Sequence, residues 1–243
     1  MSVHRSSIVE QAISYVTAQL EMGGVLDEAT VILIGSASRD TMRPRSDVDL
    51  LVVTPTAIRR MSVPVTMHIH LDTRDGFIAG VLQGDDFRGW ALRFGRVVHD
   101  PSSWWPGVVA DDRMYPWPDW QAKLAHAEKR VRMGRMAIED GDLGAAHEEY
   151  LMAISHVARA QLLREGVYPL SRPELPDQLI QSGYSSLGQL LGTFIRGVED
   201  WETLKEGAEA VSSIVARLRT VPEMHQPSKQ WPLTVRDEPR RCK

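Results

Sequence analysis

Two short motifs about ten residues apart constrain this chain more than any other feature. The apolar run Thr30-Val31-Ile32-Leu33-Ile34 leads straight into Gly35-Ser36, and Ser46-Asp47-Val48-Asp49 opens a second apolar run, Leu50-Leu51-Val52-Val53. A strand that feeds a Gly-Ser turn can bring backbone N–H groups up to a phosphate, because glycine accepts backbone angles that other residues resist, and the Ser36 hydroxyl adds a donor. Side chains alternate along a strand, so Asp47 and Asp49 point the same way and can hold one divalent cation between them. Both motifs therefore need a sheet as their framework.

The flanking pattern supplies one. Ile8, Ala12, Ile13, Val16 and Leu20 fall at helical spacing and Gly23-Gly24 ends the segment. Strands are expected over Thr30–Ile34 and Val48–Val53. From Val65 to Asp72 apolar and polar residues alternate, which predicts a third strand with Thr66, His68, His70 and Asp72 on one face. Helical segments near Asp75–Leu82 and Asp85–Arg93 and a short strand Arg96–His99 complete an α+β unit. A stretch rich in proline and tryptophan, Pro101 to Pro118, reads as a connection. Beyond it the periodicity is helical: Asp119–Glu139, Asp142–Glu165, Ser185–Arg196 and Thr203–Arg219. We therefore expect domains at 1–104 and 118–222, the second an all-α helical bundle, and a weakly structured tail at 223–243.

Composition narrows the partners. A net charge of −4 argues against broad nucleic-acid binding and favours a small-molecule substrate. The single cysteine, Cys242, excludes an intramolecular disulfide framework, and no signal core or run of about 20 apolar residues occurs, so a cytoplasmic protein with no membrane span is expected.

The order strand, Gly-Ser, polar loop, Asp-x-Asp resembles the nucleotidyltransferase superfamily related to DNA polymerase β. Its minimal members read Gly-Ser-x-Ala-Arg-Gly ahead of Ser-Asp-x-Asp-Leu-Leu-Val. The resemblance implies a nucleotidyltransferase fold, a mixed sheet flanked by helices. It also implies that Gly35 and Ser36 hold the triphosphate of an NTP such as ATP, with Ser38, Arg39 and Ser46 beside it, while Asp47 and Asp49 bind Mg2+ or Mn2+. Asp40 stands where the family has glycine; a carboxylate there repels a triphosphate by about 1–4 kcal/mol at ~4 Å unless it turns away or shares the metal.

A third carboxylate from the next strand normally completes the family's site. Here the corresponding positions, His68 or Thr66, are not acidic. We rank His68 first as the occupant and third metal ligand, His70 next, and Asp72 as the acidic alternative. The helical half resembles the bundle of the kanamycin nucleotidyltransferase family, in which a glutamate acts as base on the acceptor hydroxyl. Glu128 is the nearest candidate, with Glu148 and Glu149 as alternatives. That family also implies a homodimer and an aminoglycoside-like acceptor. Two other readings stay open: nucleotidylylation of a protein, as antitoxin-type relatives do, and a non-catalytic nucleotide-binding member.

Overall fold

The structure, a computed structural model, describes residues 2–42, 46–58, 60–64, 66–110 and 115–220. Contacts along the chain separate two compact units, Met1–Pro118 and Asp119–Ser228. The expected tail at 223–243, Cys242 included, lies outside the described residues, as does Val65.

In the first unit, α1 (Ser2–Met22) buries Ala12, Val16 and Leu20, one turn apart, as its apolar spacing demands. It ends at Gly24, which takes a left-handed φ of 68° while Gly23 and Val25 donate back to the carbonyls of Gln19 and Leu20. A short 3-10 turn, Leu26–Glu28, leads to β1 (Thr30–Ile34), buried at every residue. The chain then forms α2 (Gly35–Ser38) and β2 (Val48–Thr54). After β3 (Met67–Thr73) come α3 (Arg74–Leu82), α4 (Asp86–Phe94) and β4 (Arg96–His99).

The sheet order is β3-β2-β1-β4, with β2 and β4 antiparallel to β1 and β3 parallel to β2. It is the mixed sheet expected of an α+β unit. Val31, Leu33, Val48, Leu50 and Val52 pack on α1, together with Met67. Alternation turns Ile32, Leu51 and Val53 to the opposite face, where α3 and α4 contact β2 and β1. The first unit thus has a core on each side of a sheet whose two central strands are buried.

Sequence spacing missed three short helices. The proline- and tryptophan-rich connection folds in part as α5 (Trp104–Val109), with Trp105 buried and both indoles against Phe77. Asp100 organises that turn by accepting from Trp104 N, Trp105 N and the Thr30 hydroxyl. The other two are α2 and, in the second unit, α8.

The second unit is helical throughout its described residues: α6 (Trp120–Glu139), α7 (Leu143–Arg164), α8 (Leu175–Gln181), α9 (Ser185–Arg196) and α10 (Trp201–Thr220). Aspartates cap three of them: Asp119, Asp142 and Asp200 accept from the backbone N–H groups of Gln121, Ala145 and Thr203. Helix α7 is central, buried around much of its girth, and touches each of the other four. Gly134 lets α6 approach it, since a Cβ there would sit 2.6 Å from Tyr150. No helix among the described residues is long and apolar enough to cross a membrane.

Candidate active site

Position 35 admits only glycine, for two independent reasons. Its φ is 67°, the left-handed region, and a Cβ there would lie 2.3 Å from Asp49 Oδ2. The two motifs are therefore in physical contact: antiparallel pairing sets Ile34 opposite Asp49, and the turn that follows lies directly on the Asp49 carboxylate. The turn is braced from within. The Ser38 hydroxyl donates to the Gly35 carbonyl at 3.0 Å, and Thr41 donates through its N–H to the Ser36 carbonyl at 3.0 Å. Ser36 is buried, and Ser46 lies just ahead of Asp47 on the approach to β2.

Arg39 stacks its guanidinium over Phe94, 5.0 Å from the ring centroid. Asp40, the departure from the family pattern, has φ 59°. It occupies the left-handed position for which glycine is the usual residue, and aspartate is among the few side chains that tolerate it. Its carboxylate is 3.7 Å from Nη1 of Arg96, the first residue of β4, so its charge is partly offset by a cation.

Parallel pairing of β2 with β3 sets His68 opposite Asp49, His70 opposite Leu51 and Asp72 opposite Val53. His68 Nδ1 is 3.4 Å from Asp49 Oδ1, and its Nε2 is 3.9 Å from Asp47 Oδ2. Asp47, Asp49 and His68 are thus brought together at one end of the sheet. Burial pushes the Asp49 carboxyl above the usual carboxylate range, an effect partly offset by His68 and His70. Burial likewise holds His70 below the ordinary histidine value, against the pull of Asp49. Its ring rests 4.6 Å from that of Phe87.

The remaining candidates have other partners. Asp72 is 12% exposed, receives Arg88 Nε at 2.7 Å and accepts from its neighbour Thr73 N. This pairing, across sixteen residues, explains an acid on the working face that the strand pattern alone left open. Glu128, on α6, is held by both the Nε and Nη2 of Arg219 on α10. Glu149 on α7 binds Arg130 on α6 at 3.0 Å, whereas Glu148 is exposed. Among the described residues no three His, Cys, Asp or Glu side chains are placed to hold a metal ion together.

With this geometry in view, residues 20–83 match the family described as nucleotidyltransferase domain. The matched stretch lies within the first unit and contains Gly35, Asp47, Asp49 and His68. Among solved structures, the chain is similar to a nucleotidyltransferase-like protein from Exiguobacterium sibiricum 255-15. The two are 15% identical, with a TM-score of 0.42, over 78% of this chain and 69% of the other. No curated protein matches the chain.

Proposed function

We propose that the first unit transfers a nucleoside monophosphate from an NTP to a hydroxyl group of a small molecule, using a divalent cation held by Asp47 and Asp49. The observation that carries this reading is the Gly35 turn resting on the Asp49 carboxylate, which sets a phosphate-meeting turn beside a cation-meeting pair. In such a transfer the acceptor oxygen bonds to the α-phosphorus, the bond to the bridging oxygen breaks, and pyrophosphate leaves; the acceptor proton passes to a base or to water. A bound cation supplies charge neutralisation at the attacking and leaving oxygens. The donors fit that demand, because Asp49 is already desolvated and a cation relieves the cost of keeping it ionised. The Gly35-Ser36 backbone and the Ser36 hydroxyl take the phosphates, Arg39 and Ser46 flank them, and Ser38 braces the turn.

Calorimetric titration with ATP or GTP, each with Mg2+ or Mn2+, tests the reading. Asp47→Asn is expected to weaken metal-dependent nucleotide binding by about tenfold or more. No metal-dependent binding in the parent protein, with Asp47→Asn changing nothing, would sink it.

One observation favours a second reading, nucleotide binding without turnover: the third carboxylate of the family is replaced by His68, and Asp72 is committed to Arg88. Pyrophosphate release decides between them. Binding with no release in the presence of aminoglycosides or other polyhydroxylated acceptors supports the second. Transfer of label from α-labelled ATP to a protein would instead mark an antitoxin-type enzyme.

A further inference from the structure

The strand order gives the proposed transfer a direction. In the sheet β3-β2-β1-β4 the Gly35 turn leaves the end of β1, the carboxylate of Asp49 lies next to it on β2, and β3 runs on the far side of β2. In-line displacement at phosphorus needs the attacking oxygen opposite the leaving one. Phosphates bound at the turn put the leaving pyrophosphate on the β1 side, so an acceptor enters over β3. There it meets His68 and, about 7 Å further along the same face, His70, both exposed. The His70 ring rests 4.6 Å from that of Phe87 on α4, inclined by 45°, and no hydrogen bond among the described residues engages its nitrogens. The charges beside this ring pair are already matched. Asp72 receives Arg88 Nε at 2.7 Å, and Asp85, which caps α4 through Arg88 N, lies 3.7 Å from Arg88 Nη1.

A sugar or cyclitol ring has an apolar face of C–H groups and a rim of hydroxyls. The face can lie on an aromatic ring, and the rim can exchange hydrogen bonds with an imidazole, which in its neutral form has one donor and one acceptor. A ring bearing ammonium groups needs an unmatched carboxylate beside it, and at this place Asp72 and Asp85 both belong to Arg88. We propose that His70 and Phe87 form the acceptor subsite of the first unit and take an uncharged ring alcohol, a sugar or cyclitol, with one hydroxyl turned toward Asp47 and Asp49. That hydroxyl oxygen bonds to the α-phosphorus as pyrophosphate leaves, and its proton passes to water. The inference rests on the nucleotidyl-transfer reading and deepens it by naming the class of acceptor.

The test gives the full chain α-labelled ATP or GTP with Mg2+ and, in separate reactions, glucose, N-acetylglucosamine, myo-inositol, kanamycin and glycerol. Label is expected on one or more of the uncharged rings, and on neither kanamycin nor glycerol. Phe87→Leu, which keeps apolar bulk without the ring, and His70→Ala are each expected to raise KM for the labelled ring by about fivefold or more. Both should leave nucleotide affinity, read by calorimetry, within about twofold of the parent. If nucleotide affinity falls as far as acceptor affinity, the two side chains merely support β3 and the subsite is overturned. Label on kanamycin alone, nucleotide binding with no label on any uncharged ring, or an acceptor KM that both variants leave within about twofold also overturns it, and metal-dependent nucleotide binding still stands. If the parent binds no nucleotide and Asp47→Asn changes nothing, the subsite falls together with the nucleotidyl-transfer reading.

Discussion

Gly35 is the residue on which the turn and the acid pair both depend. Gly35→Ala forces a Cβ into the left-handed region and onto Asp49 Oδ2. It is expected to cost about 2 kcal/mol or more in urea unfolding and to abolish nucleotide binding. Asp40 makes the complementary case. Asp40→Gly relieves an unfavourable φ and gives up an exposed pair with Arg96, so stability should move by no more than about 1 kcal/mol. Removing a negative charge near the triphosphate should at the same time tighten ATP binding, measurable by calorimetry. Both motifs are legible in the sequence because each is local, a turn residue and an i, i+2 pair. The meaning of Asp40 is less so: its residue type shows a charge, while its left-handed backbone and its partner Arg96 come from tertiary structure. Asp72 shows the same limit, since nothing in an alternating strand names Arg88 as its partner.

Among the elements, α10 offers a clean test of capping. Asp200 accepts from Thr203 N at 2.7 Å and from the Thr203 hydroxyl at 2.9 Å, and these bonds hold its carboxyl below the usual range. A folded-state value lower than the unfolded one contributes stability above the unfolded value, about 4, and loses it as the pH falls through the folded value. Asp200→Ala should therefore lower Tm at neutral pH, and the gap to the parent should close on acidification below about pH 4. Long helices such as α6, α7 and α10 announce themselves by periodicity and a capping aspartate. The short ones do not. Helix α2 is four residues, α5 six and α8 seven, too few for a repeating apolar face, and the last two sit among prolines that read as loop. They form because Ser36, Trp105 and Leu175 find buried places in already assembled layers.

For the whole molecule, a net charge of −4 carries a direct expectation. Single-stranded and duplex polynucleotides should show no salt-sensitive binding in a fluorescence-anisotropy titration, because counterion release requires a basic surface. Tight binding that weakens steeply with salt would contradict the small-molecule reading. The division of the chain at Pro118 leaves the paired carboxylates in a unit whose central strands are buried at every residue but Asp49, while β3 closes one side of the sheet. Heredity treats those two places differently. Strands β1 and β2 are committed on both faces and can scarcely change, but position 68 lies at a margin where one altered codon leaves the interior intact. The group facing Asp49 is then a trait that selection, or an engineer, can revise without reopening the question of how the chain folds.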